Sequence, residues 1–202
     1  MYSIRPNLVI GFHGCDETLR DAVILGKTEL KPSTNKYDWL GNGIYFWENN
    51  SARAFEFIHE LYKNPRRGKP KIKKPSVLGA VFSLGNCFDL LDNKYLDVLK
   101  DSYSILETAA KTQNIKLPEN KSISTSKDLL LRYLDCSVIE KLHEKIGKKT
   151  FDSVRGVFFE GDPLYPNAGF TEKNHIQIAI RNPNCIKGYF IPRTLNDKYR
   201  RV

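Results

Sequence analysis

The sequence predicts an α+β fold with one mixed or antiparallel sheet, its strands gathered toward the two ends of the chain and helices inserted between them. Three observations predict it. Short β-branched and aromatic runs occur early, at Leu8–His13, Gly43–Trp47 and Val77–Leu84, and late, at Ser153–Glu160, His175–Ile180 and Ile186–Pro192. Apolar residues at helical spacing fill 51–62 and 89–112 and return through 128–143. Strands and helices do not alternate one for one, which separates this pattern from a βαβ repeat. Residues 1–202 read as a single domain: the length suffices for one sizeable core, and neither an internal repeat nor a long linker divides it.

Taken in order, Leu8–His13 is a strand ending in the turn Gly14-Cys15-Asp16, and Asp16 or Thr18 caps a short helix that runs to about Leu25 and stops at Gly26. An extended exit at Leu30–Ser33 and a polar-aromatic loop at Tyr37–Gly41 lead to the strand Gly43–Trp47. Ser51 opens a helix through Tyr62, with Ala52, Phe55, Ile58 and Leu61 at helical spacing. Val77–Leu84 is a buried strand, Asp89–Thr112 a helix, and 113–126 a polar loop. Asp128–Leu134 and Val138–His143 read as two helical pieces joined near Asp135 or Ser137. After the strand Ser153–Glu160, a loop with two prolines and two glycines reaches Lys173. In His175–Ile180, period two puts His175, Gln177 and Ala179 on one face and Ile176, Ile178 and Ile180 on the other.

Composition removes several classes. Hydrophobic residues make up 41%, slightly below the usual globular level, and charged residues 27%, an ordinary value. Cysteines at 15, 87, 136 and 185 form no CxxC pair, and the histidines lack close ligand spacing, so no metal site is expected. No apolar run is long enough to span a membrane, and the first residues lack the pattern of a secretory signal. The expected location is the cytoplasm, or a target cytoplasm reached by a signal-free route. Net charge is +9, and Lys63–Pro75 holds seven basic residues and no acid. Such a segment can contact a polyanion. Its proline and glycine equally suit a solvated loop, and no nucleic-acid-binding motif accompanies it.

The polar residues point to a cleft for a flat ligand. His13 ends an apolar strand beside Gly14, whose bare backbone can offer a donor and an acceptor to a carboxamide, while the imidazole can donate to a ribose hydroxyl. Tyr45 follows Gly41-Asn42-Gly43-Ile44, where the glycines leave room for its ring to stack on a heterocycle, and Tyr37 and Trp39 can close the pocket. Gln177 can hold a ribose hydroxyl and orient a leaving group. Glu160, Asp162 and Glu172 bracket the loop before His175, and an acid there can balance positive charge developing at an anomeric carbon. Each has a plainer reading: a satisfied core histidine, a core aromatic, a surface glutamine. A Cys15–His13 pair is disfavoured because residues so near on one strand rarely face each other. Walker, dinucleotide-fingerprint and Gly-x-Ser-x-Gly patterns do not occur.

Phe12-His13-Gly14, Gly41-Asn-Gly-Ile-Tyr45-Phe46 and the Gln177 strand, with His13 and Tyr45 32 residues apart, resemble the three motifs of ADP-ribosyltransferases of the diphtheria-toxin and poly(ADP-ribose)-polymerase type. The resemblance implies an ADP-ribosyltransferase-like split sheet holding NAD as substrate in a crevice. It implies that His13 bonds the nicotinamide-side ribose, that Gly14 clamps the carboxamide, and that Tyr45 stacks on nicotinamide, with Cys15 and Gly43 in the same binding motifs. Gln177 stands where the family has its catalytic glutamate, and Cys15 where it usually has serine or threonine. His175, two residues before Gln177, and Glu172 take the place of acceptor-recognising side chains. The implied activity is mono-ADP-ribosyl transfer from NAD to a protein or nucleic acid, by a free-standing toxin or effector. The alternatives are an NAD glycohydrolase, a non-catalytic NAD or ADP-ribose binding module and, further off, an NAD-dependent RNA 2′-phosphotransferase, whose extra basic and histidine motifs do not occur in this chain.

Overall fold

In the computed structural model, which describes residues 8–65, 68, 70–123, 127–147 and 150–200, strand β1 (Val9–Asp16) runs directly into helix α1 (Glu17–Ile24). Asp16 makes the junction. One carboxylate oxygen accepts the Thr18 N–H at 3.1 Å and its hydroxyl at 2.7 Å, and the other accepts the Lys73 and Lys74 N–H groups at 2.6 and 3.0 Å. Burial opposes that charge, but the Thr18 hydroxyl and the backbone donors outweigh it and hold the carboxyl well below its ordinary pKa. One side chain thus caps α1 and ties down the end of the basic segment. Arg66, Arg67 and Lys69 of that segment, and the residues read for a secretory signal, lie outside the described residues.

The chain continues through β2 (Ile44–Glu48), α2 (Ser51–Lys63), β3 (Pro75–Phe82), β4 (Cys87–Asp89), α3 (Asn93–Thr112), β5 (Asn120–Lys121), β6 (Leu131–Arg132), α4 (Tyr133–Ile146), β7 (Ser153–Phe158), β8 (His175–Ile180) and β9 (Ile186–Phe190). Seven strands form one sheet in the order β4-β7-β8-β2-β1-β3-β9, and β5 and β6 pair separately. β4–β7 is parallel and the other neighbours in the large sheet are antiparallel. The fold is therefore a mixed α+β fold, a multi-strand sheet flanked by helices. Among the described residues no helix is long and apolar enough to cross a membrane.

Several boundaries differ from expectation for local reasons. β1 does not turn at Gly14, because β3 pairs with it residue by residue from Val9 to Asp16. Residues 87–89 are a strand, with Phe88 fully buried, and α3 begins only after Asp92, whose carboxylate caps the Lys94 N–H. Most of the first expected helical piece is not helix: 128–130 are loop, Leu131–Arg132 is β6, and α4 starts at Tyr133 and runs on unbroken, Ser137 bonding back to the Tyr133 carbonyl and Asp135 taking the Asn120 amide. In α2 the buried side is Arg53, Ala54 and Ile58, while Phe55 is 44% exposed and Ala52 is also exposed. In β8 both faces are covered around Ile178, Ala179 and Ile180. The strand lies inside the sheet, with Ile178 and Ile180 in one apolar cluster and Ala179 in another.

Two features position the cleft. β1 and β2 pair only at Gly11↔Glu48 and Phe12↔Trp47. Beyond that β1 stays with β3 and β2 stays with β8, so the sheet opens between His13-Gly14 and Tyr45-Phe46. Above the opening, α2 sits directly on β1: a Cβ on Gly14 would strike the Ala54 carbonyl oxygen. A buried ionic network steadies the floor. Arg155 of β7 forks onto Glu48 at 2.6 and 3.2 Å and onto both Asp89 oxygens at 3.2 Å, joining β2, β4 and β7.

Asp16→Ala is expected to cost about 1–2 kcal/mol, the upper part of the range for a lost helix cap, read as a lower urea midpoint; an unchanged midpoint would show that the junction does not depend on this side chain. Gly14→Ala forces α2 off β1 and is expected to cost about 1–3 kcal/mol, checked by thermal unfolding of the variant beside the parent chain.

Candidate functional site

A cavity of about 290 Å³ fills the opening. His13 and Gly14 of β1, Tyr45 and Trp47 of β2, and Gln177 of β8 line it, with Arg53, Phe57 and Glu60 of α2 above and Glu160 just past β7. The segment from Ser33 through Asn35, Tyr37, Asp38 and Trp39 forms the remaining wall together with Leu130. Among the described residues no three His, Cys, Asp or Glu side chains gather as metal ligands would.

The β1–β2 ladder is completed at its end by a side chain. His13 Nδ1 lies 2.8 Å from the Tyr45 carbonyl oxygen. A carbonyl only accepts, so Nδ1 carries the hydrogen and Nε2 is a bare acceptor. Burial lowers the imidazole pKa more than this bond raises it, which keeps the ring neutral. The expected donor to a ribose hydroxyl is therefore an acceptor. Backbone polarity follows the same strand. The Asn49 N–H donates to the Ile10 carbonyl on the β2 side, and period two turns the N–H and C=O of Phe12 and Gly14 the same way. By Gly14 the strand β2 has moved off, so the Gly14 donor and acceptor edge faces the cleft.

The Tyr45 ring is held by its own hydroxyl. It donates to the Gly41 carbonyl at 2.7 Å and accepts the Leu40 N–H at 2.8 Å, closing the loop before β2. Burial pushes the phenol pKa well above its ordinary value, so the ring stays neutral. Gly41 has φ +73°, a left-handed conformation that glycine adopts without strain. Glu140 of α4 accepts the Asn42 N–H and side-chain amide, both at 2.8 Å, and Arg181 donates to Glu140 at 2.6 Å and to the Asn42 carbonyl at 2.9 Å. Burial works to raise the Glu140 carboxyl, but Arg181 and the Asn42 N–H outweigh it and hold it below its ordinary pKa.

A polar cluster borders the cavity on the α2 side. Arg53, 5% exposed, donates Nη2 to Glu160 Oε1 at 3.0 Å, and its guanidinium lies 6.0 Å from the Trp47 ring centroid. His175 donates Nδ1 to the Lys173 carbonyl at 2.7 Å and lies 3.6 Å from the same Glu160 oxygen. Burial drives the His175 pKa down to about 4 and raises that of Glu160, against the pull of Arg53. Five buried side-chain nitrogens have no hydrogen-bond partner among the described residues, and four of them belong to Trp47, Arg53 and His175. Buried polar atoms without partners are rare in folded proteins, and three of these four belong to Trp47 and Arg53, which line the cavity.

The structure brings His13, Gly14, Tyr45 and Gln177 together, with Tyr37 and Trp39 beside them as expected. Other positions lie elsewhere. Cys15 is packed in the core with Phe46 and Leu78, and burial pushes its thiol pKa up to about 11. Gly43 does not line the cavity; it bridges to Ser33, and a Cβ there would crowd Ala179 and the Ile180 carbonyl. The His175 side chain is fully buried, its ring stacked 6.2 Å from Trp39, so it does not present itself to a macromolecule. Glu172 is exposed on the loop between β7 and β8 and does not line the cavity. Of the acids bracketing that loop, only Glu160 enters the wall. Arg53, Phe57 and Glu60 were missed because Ala52, Phe55, Ile58 and Leu61 suggested another face of α2; Ala54, Ile58 and Leu61 lie at equally good helical spacing, so spacing did not choose between the two.

No family model matches the chain. It is 25% identical, over 192 residues spanning 87% of this chain and 83% of the relative, to the uncharacterized protein MJ0359 of Methanocaldococcus jannaschii.

Proposed function

We propose that the chain has an ADP-ribosyltransferase-like fold and acts as a mono-ADP-ribosyltransferase, moving ADP-ribose from NAD to a macromolecular acceptor and releasing nicotinamide. The observation that carries this reading is where the sheet opens. β1 and β2 part at Gly14 and Tyr45, the residues that the resemblance would place on the two sides of nicotinamide. The Gly14 backbone edge offers a carboxamide the donor and acceptor it needs. The Tyr45 ring, fixed by its hydroxyl, gives the heterocycle a stacking surface. His13 Nε2 accepts from a ribose hydroxyl, and the Gln177 amide orients the same sugar. The cavity is near the lower limit for small-molecule sites, roughly 300 Å³, in keeping with one end of a dinucleotide.

Chemistry at this site is displacement at the ribose C1′: the acceptor bond forms as the bond to nicotinamide breaks. The basic segment Lys63–Pro75, with Lys71, Lys73 and Lys74 exposed, inclines the acceptor toward nucleic acid over protein. The neutral Gln177, where related enzymes carry a carboxylate, favours NAD hydrolysis as the second reading, with water in place of the acceptor.

Incubation with NAD labelled on the adenylate, plus cell lysate, is expected to label macromolecules and release nicotinamide. Nicotinamide without label would identify a glycohydrolase, and NAD binding with neither would identify a binding module. Tyr45→Ala is expected to abolish turnover. Tyr45→Phe keeps the stacking surface but strands the Gly41 carbonyl and Leu40 N–H, so it is expected to lose about 1–3 kcal/mol of stability while still binding NAD in a fluorescence titration.

A further inference from the structure

We infer that Glu160 takes the acceptor's proton, so that the carboxylate of the reaction comes from the end of β7 and not from position 177, and that the acceptor is a neutral hydroxyl. The inference rests on the reading of the cleft as a site of ADP-ribosyl transfer. Glu160 lines the same cavity as His13, Tyr45 and Gln177. The Lys173 N–H donates to the Glu160 carbonyl at 3.0 Å, extending the β7–β8 ladder past Phe158↔His175 and fixing this backbone against the strand that carries Gln177.

The carboxylate itself is held by one oxygen. Oε1 accepts from Arg53 at 3.0 Å and lies 3.6 Å from His175 Nδ1. Oε2 has no hydrogen-bond partner among the described residues, and it is not among the sealed, unpartnered atoms. One oxygen is anchored and the other is unbonded on a side chain that lines the cleft, the arrangement a general base needs. Arg53 and His175 are positioning residues: they touch Glu160, and the cleft reaches the acceptor through it.

Charge selects the acceptor. Glu160, Glu60 and Asp38 are all in the wall and outnumber its guanidinium, Arg53, whose Nη2 is held by Glu160 and whose Nε and Nη1 are buried. A carboxylate or phosphate acceptor would meet these acids and would have no proton to surrender. A hydroxyl meets no such repulsion and must lose its proton as it attacks. In the step, an oxygen lone pair of the acceptor forms the bond to C1′ and the hydroxyl proton passes to Glu160 Oε2. The C1′–N bond breaks with its electrons retained by the ring nitrogen, so nicotinamide leaves neutral.

The groups that face Glu160 are Arg53 of α2, His175 and Lys173 at the start of β8, and Asp128 before β6. Burial raises its pKa, Arg53 and Lys173 lower it, Asp128 raises it, and the net displacement is upward. A base works when ionised, so transfer falls as pH drops through a pKa above the ordinary glutamate value.

The test uses the intact chain, adenylate-labelled NAD and cell lysate. Glu160→Gln is expected to cut label transfer about a hundredfold or more while NAD still quenches the fluorescence of Trp39 and Trp47. Glu160→Asp, which keeps a charge opposite Arg53, guards against loss of fold: it is expected to transfer slowly, bind NAD, and shift the acid limb of the pH profile. Label on the parent chain's product is expected to resist neutral hydroxylamine, which cleaves ADP-ribosyl esters of carboxylates. Undiminished transfer by Glu160→Gln, an unmoved acid limb in Glu160→Asp, or hydroxylamine-labile label would each overturn the inference and leave the cleft's reading intact. Failure of the parent chain to bind NAD would instead overturn that reading, and this inference with it.

Discussion

At Gly14 the Ala54 carbonyl approaches β1 so closely that no side chain fits between helix and strand. That contact fixes how α2 is rotated. With Ala54 and Ile58 turned down onto the sheet, the 100° step of the helix brings Arg53 and Phe57 to the cleft side and leaves Phe55 in solvent. Arg53 then reaches Glu160, 107 residues away in sequence, and the partnerless nitrogens of the site collect around that pair. The same glycine presents its backbone edge to the cleft on the other side. A single missing Cβ therefore sets both the roof and one wall.

The sheet supplies the complementary constraint. Its two halves meet at only two paired positions between β1 and β2, so the ladder that would run on to Gly14 and Tyr45 is absent and a cleft takes its place. A strand end left open in this way exposes backbone donors and acceptors. His13 covers the Tyr45 carbonyl at the open end, and the buried Arg155 network fixes the paired end of β2, at Glu48, to β4 and β7.

Much of this was legible in the sequence because it is local. The strands at Gly43–Trp47 and His175–Ile180 and the Asp16 cap follow from residue type and spacing, and the gathering of His13, Gly14, Tyr45 and Gln177 from the family resemblance. What was not legible depends on long-range packing. Ala52 and Phe55 fit a helical stripe with Ile58 and Leu61 as well as Ala54 does, and only the glycine of another element decides between them. His175 and Gln177 share a strand face by parity, yet the rings of Trp39 and Phe158 cover the first and leave the second at the cavity. Cys15 and His13 likewise share parity, but α1 and the core close over the cysteine. The three-residue strand β4 is too short to carry a period and takes its place by pairing with β7, 66 residues on.

The Glu140–Arg181–Asn42 clamp has a consequence for ligand affinity. A glycine-rich turn such as Gly41-Asn42-Gly43 has more conformational freedom to lose than any other kind of segment. Here that loss is incurred during folding, when α4 and the end of β8 grip the turn through charge-assisted hydrogen bonds. A ligand arriving at Tyr45 finds the ring already oriented, so little of its binding free energy is diverted into ordering the loop.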